Sequence, residues 1–147
     1  MLARTIAILF ILSTTLLSCT KDESMTNNGY NPGLMSADIG GSLWYANSGN
    51  AVSQTATALD LYAAYNNQSH ISIVLGGYTG TGGYSLGGFN SAIYYDGNGI
   101  EYPATNGYIS ITSDNGTQVM GTFYFSGTSI TGGYPVSITN GQFNLSR

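Results

Sequence analysis

The strongest constraint on the fold lies between Gly107 and Ser126. Two runs alternate apolar and polar residues at period two, with Asp114-Asn115-Gly116-Thr117 between them. In the first run Ile109 and Ile111 fall on one face. In the second, Val119, Gly121, Phe123 and Phe125 share a face, with Thr122 and Tyr124 opposite. Successive side chains of a strand point to opposite faces, so period two buries one face and wets the other. Asn-Gly readily takes the positive φ of a tight turn. The pattern predicts an antiparallel hairpin, and no helix can satisfy it.

The rest of the chain repeats this grammar. Met35–Ile39 and Ser42–Ala46 flank Gly40-Gly41 and read as a hairpin. Ser48–Gln54 reads as a loop. Thr57–Tyr65 offers a strand face (Leu59, Leu61, Ala63, Tyr65) or a helical stripe (Ala58, Leu61, Tyr62, Tyr65). Strand is preferred, because the neighbours are β and helix caps are lacking. Asn66-Asn67-Gln68 is a turn, and His70–Leu75 follows as a strand with Ile71, Ile73 and Leu75 inward. Gly76–Gly88 is glycine-rich but lacks Gly-x-x-x-x-Gly-Lys, so turns and bulges around a short strand at Tyr84–Leu86 are expected rather than a phosphate loop. Ser91–Tyr95 is a strand and Asp96-Gly97-Asn98-Gly99 a turn. Ile100–Ala104 reads as a short edge strand ended by Pro103. Val136 and Ile138, then Phe143 and Leu145, alternate inward, with a one-residue slip across Asn140-Gly141. A bulge in one long strand explains the slip, as would a tight Asn-Gly hairpin. The fold expected over residues 35–147 is all-β, a single antiparallel β-sandwich of about eight to ten strands, with a closed or flattened β-barrel as the alternative.

The first residues carry a different signal. Arg4 precedes an almost wholly apolar run from Thr5 to Leu17. That is the layout of a signal peptide, and it is short of the roughly 20 residues of a membrane-spanning helix. Leu16-Leu17-Ser18-Cys19 resembles the lipobox of bacterial lipoproteins, and Cys19 is the only cysteine of the chain. The resemblance implies cleavage between Ser18 and Cys19, loss of residues 1–18, and diacylglycerol on the Cys19 sulfur. Two or three acyl chains hold a protein stably on a membrane. Lys21-Asp22-Glu23 resembles the export signal of surface lipoproteins in the Bacteroidota. It implies an outer-membrane protein facing the cell exterior, with the periplasmic face as the alternative. Residues 19–34 then read as a flexible tether rich in Asn and Gly.

Charge narrows the functions. Charged residues are 7% of the chain, and beyond residue 34 Arg147 is the only Lys or Arg. Nucleic-acid binding needs phosphate neutralisation and is excluded. One histidine, His70, with no nucleophile elbow gives no triad, and no zinc ligand set is present. Asp96, Glu101 and Asp114 lie in or beside turns, where acids are routine, rather than as a hydrolytic pair. Asp96, Asn98 and Glu101 have spacings a calcium loop uses, without the full Asp-x-Asp-x-Asp-Gly run. No cofactor is expected beyond the lipid on Cys19. Binding remains. The chain has 12 Tyr, more than a core of this size buries. Trp44, Tyr62, Tyr94, Tyr108 and Tyr124 are the candidates for stacking on sugar rings, against cross-strand pairing as the structural alternative. The expected function is a non-enzymatic binding or display module touching a glycan or an envelope protein. A carbohydrate-active hydrolase and a purely structural surface component are the alternatives.

Four segments in order also carry a resemblance: Gly82-Gly83-Tyr84-Ser85-Leu86, Gly107–Thr112, Gly121–Phe125 and Val136–Leu145. They are similar to the pattern G-T-Y-x-L, G-x-I-x-I-T, G-T-F-x-F, V-x-I-T-x-G-x-F in a family of uncharacterised Bacteroidota outer-membrane lipoproteins. Ser42–Ala46, with its Trp, fits an early strand of that family. The resemblance covers about residues 35–147 and implies a β domain with no assigned activity. This chain has Gly83 where the pattern has Thr, and it is poor in Lys.

Overall fold

The hairpin over residues 107–126 is the centre of the molecule. The computed structural model describes residues 34–147. Strand β8 (Glu101–Asp114) pairs with β9 (Gln118–Thr128), and β9 pairs with β10 (Pro135–Ser146), all antiparallel. The turn is closed by Asn115 N–H donating to Gln118 O at 3.2 Å, with Gly116 at φ 82°. Ile109, Ile111, Val119, Phe123, Phe125, Ile138, Phe143 and Leu145 are all buried, as their alternation requires. The slip at Asn140-Gly141 is a bulge. Ile138 faces Phe125 and Gly141 faces Phe123, so Thr139 and Asn140 together oppose Tyr124. Asn140 sits at φ 51°, a left-handed conformation that Asn tolerates.

Strands β1 (Met35–Ile39) and β2 (Ser42–Tyr45) form the expected hairpin, with Gly40 and Gly41 at φ 57° and 87°. Both residues of such a turn need positive φ, which glycine adopts without steric cost. Then follow β3 (Ser48–Gln54), β4 (Ala58–Tyr65), β5 (Ser69–Gly76), β6 (Gly82–Ser85) and β7 (Asn90–Tyr95). The sheet order is β2-β1-β10-β9-β8-β7-β5-β4-β3, with β6 also paired to β8.

The first and last strands of that order, β2 and β3, are consecutive in the chain. Only Ala46 and Asn47 join them, and two extended residues span about 7 Å. Ala46 N–H donates to Met35 O at 2.8 Å and Asn47 N–H to Ala64 O at 2.9 Å, so the link bonds to both ends of the sheet. The sheet must curl to bring its edges together, and it forms an antiparallel half-barrel around one apolar core. Leu59, Leu61, Ile71, Ile73 and Leu75 cover that core from β4 and β5. Burying each Leu or Ile contributes about 1.5–3 kcal/mol.

Two expectations are corrected. Ser48–Gln54 is a strand rather than a loop, held by its ladder to β4 although most of its residues are exposed. Ile100–Ala104 is not a short edge strand. β8 runs through Pro103, which pairs with Ile93 of β7, while Ala104 pairs with Gly127 of β9. A register shift between Ala104 and Asn106 marks where β8 leaves β7 and takes β6 as its neighbour. An irregular ladder accepts a proline that a regular interior one rejects.

Candidate functional site

Alternation sends every second residue of β8, β9 and β10 outward, and the register sets these side chains in rows. Tyr108 lies directly opposite Tyr124. Ser110 lies opposite Thr122, which lies opposite Gln142. The bulge adds Asn140 beside Tyr124. With Phe123 and Gly141, these six residues line an open groove of about 650 Å³. The Tyr108 and Tyr124 rings stack with centroids 6.5 Å apart at 26°, and they are 39% and 55% exposed. Rings this exposed have faces available to a ligand. Hydroxyls and carboxamides surround them, and among the described residues no charged side chain lines the groove. At its margin Asn140 Nδ2 donates to Asp38 Oδ2 at 2.7 Å, which fixes the amide.

Tyr108 depends on a residue that sequence reading assigns to turn chemistry. A Cβ on Gly83 of β6 would overlap Tyr108 Oη and Cζ. The Tyr108 ring therefore extends across β6 in the space that a side chain at position 83 would fill. The departure from Thr at that position was the available signal. Ser110, Thr122, Asn140 and Gln142 were not singled out either, although the phase slip that places Asn140 was legible.

The other candidates scatter. Trp44 is 8% exposed, and its indole N–H donates to Ser69 Oγ at 2.9 Å, so it is part of the core. Tyr94 is half-buried against the core and stacks on Tyr102 at 5.8 Å. Burial raises its phenol pKa. Tyr62 lies on the outer face of β4 and packs against His70, away from the groove. Asp96 spends its carboxylate on its own turn: Oδ1 accepts from Asn98 N–H at 2.8 Å and Ile100 N–H at 2.9 Å. Burial acts to raise its pKa, and these hydrogen bonds outweigh it and lower the pKa. Asn98 Nδ2 turns to the same carboxylate, and Glu101 faces Tyr95 across β7 and β8. Ser18, Cys19, Lys21, Asp22 and Glu23 lie outside the described residues.

One polar cluster was not foreseen. Tyr78 Oη donates to Asp114 Oδ2 at 2.5 Å, and Arg147 Nη2 donates to the same oxygen at 2.6 Å. Arg147 Nη1 donates to Gln54 Oε1. This ties the edge strand β3 to the β8–β9 turn. The Tyr78 bond lowers the Asp114 pKa, helped by Gly116 N–H and Arg147. The Tyr78 phenol is pushed well up by burial and by the same bond.

The fold and groove define a small antiparallel half-barrel whose β8–β10 face carries a groove lined by aromatic, hydroxyl and amide side chains without charge. Residues 31–145 match the family described as domain of unknown function DUF6252, and the chain belongs to that family. No curated protein and no solved structure matches it.

Proposed function

We propose that the protein is a lipid-anchored outer-membrane protein, held by acyl chains on Cys19, whose domain binds a neutral glycan in the Tyr108–Tyr124 groove without catalysing a reaction. The observation that carries this reading is the pair of exposed, stacked Tyr rings bordered by Ser110, Thr122, Asn140 and Gln142. Aromatic faces take the apolar face of a sugar ring, while hydroxyls and amides exchange hydrogen bonds with its hydroxyls. The lack of charge in the groove favours a neutral ligand. Glycoside hydrolysis uses two carboxyl groups about 5–9.5 Å apart. The groove lining contains none, and Asp38 at its margin is a single carboxyl group. Facing outward from the outer membrane follows from the resemblance of Lys21-Asp22-Glu23 to an export signal.

Affinity electrophoresis of the intact chain in gels containing soluble neutral polysaccharides tests the binding, with reducing-end release measured on the same samples. Retardation without release is expected. Release of reducing ends would replace this reading with the hydrolase. Radiolabelled fatty acid should label the wild type and not Cys19→Ala, and labelling that survives the substitution contradicts the anchor.

A further inference from the structure

The outer face of β4, β5 and β7 carries a row of rings that the groove does not use. His70 of β5 stacks on Tyr95 of β7 with centroids 4.0 Å apart at 23°. Tyr62 of β4 packs on the other side of His70 at 5.1 Å and 43°. All three are partly buried, with some of each ring reaching solvent. Tyr95 is the register partner of Glu101 on β8. Asp60, two residues from Tyr62 on the same strand face, is exposed. Among the described residues neither carboxylate has a Lys or Arg neighbour, because Arg147 is the only one there and it bonds Asp114 and Gln54.

The faces of aromatic rings carry negative electrostatic potential, and carboxylates beside them add to it. Such a surface attracts positive charge and repels phosphate or another acid. A second copy of this chain would bring the same acidic face and is disfavoured. We infer that the Tyr62–His70–Tyr95 row, with Glu101, is a second binding site, separate from the groove, for an organic cation of the ammonium or guanidinium class.

His70 gives the site a gate. Burial lowers its pKa, while the Gln68 carbonyl and Glu101 raise it and are outweighed. The groups facing it are Tyr62 from β4, Tyr95 from β7, Glu101 from β8 and the Gln68 carbonyl from the preceding turn; β5 itself carries no other titratable side chain. At neutral pH the imidazole stacked between the rings is uncharged and does not oppose a cation approaching the row from solvent. Protonated, His70 becomes the cation between the two Tyr rings and repels the ligand.

The test is an aromatic-region NMR titration of the intact chain in non-ionic micelles. The probes are arginine amide and tetramethylammonium, with N-methylacetamide as the neutral control. Saturable shifts of the Tyr62, His70 and Tyr95 rings are expected, with Tyr108 and Tyr124 unmoved. Affinities on the order of 1–10 mM are expected at pH 7.5, falling as acidification protonates His70 and falling about fivefold in Glu101→Gln. The loss of affinity should track the protonation shift of the His70 ring resonances across the same pH series. Preference for arginine amide marks a polypeptide side chain as the natural source, and preference for tetramethylammonium marks a quaternary amine. No shift at these rings, equal shifts with the neutral control, or affinity unchanged in Glu101→Gln would overturn the inference. Because the groove serves as the internal reference, failure here leaves the glycan reading standing, and failure of the glycan reading leaves this one standing.

Discussion

At the scale of single residues, two positions have consequences beyond themselves. Gly83 leaves the space that the Tyr108 ring occupies. Replacing it with Thr should displace that ring, weakening polysaccharide retardation about tenfold while the melting temperature moves by only a few degrees. Gel retardation and thermal denaturation check the two halves of that statement. Asp114 holds the second. Its ionised carboxylate accepts hydrogen bonds from Tyr78 and Arg147, and its pKa lies below the ordinary 3.8. A lowered carboxylate pKa stabilises the fold at pH above the unfolded value, and that stability is lost as pH falls through the folded value. Denaturant titrations from pH 5 down to about pH 2 should show a steep acid limb in the wild type and a shallower one in Asp114→Asn. Neither effect is legible from the sequence alone. Gly83 departs from the Thr of the resembled pattern, but nothing local says that a ring from β8 fills the space, and Tyr78, Asp114 and Arg147 are 33 or more positions apart.

Elements were far more legible where alternation was regular. β5, β9 and the second half of β8 follow their apolar period residue for residue, because one face of each must be buried. β3 was not legible. Ser48-Gly49-Asn50-Ala51-Val52-Ser53-Gln54 lacks β-branched and aromatic weight, and only its ladder to β4 makes it a strand. The Pro103 signal misled for a related reason: a proline argues against a regular interior ladder, and here the ladder is irregular. The β10 bulge makes a sharp test. Deleting Asn140 leaves one residue between Ile138 and Gly141, so Phe143 and Leu145 still point inward. Deleting Gln142 instead turns both out of the core. The first deletion should cost at most about 2 kcal/mol, and the second more than about 4 kcal/mol. Chemical denaturation of both variants checks the contrast. Loss of the Asn140 amide should also weaken glycan binding in the first variant.

At the scale of the molecule, the curl was only half legible. All-β and antiparallel follow from period two and glycine turns, but closure rests on Ala46 and Asn47 bonding to opposite ends of the sheet, a long-range pairing that local pattern does not encode. The groove is likewise a property of three aligned strands. Tyr108 and Tyr124 were candidates from composition, and their partnership came from the β8–β9 register. The account therefore rests on whether that outward face binds sugar. The most direct measurement is a neutral-glycan array probed with the wild-type chain, the double variant Tyr108→Ala/Tyr124→Ala, and Tyr62→Ala as a surface control. The account predicts a defined set of bound glycans for the wild type and Tyr62→Ala, with affinity falling about a hundredfold or to background in the double variant, about 2.7 kcal/mol or more. Undiminished binding by the double variant, while it keeps the wild-type fold by circular dichroism, would contradict it.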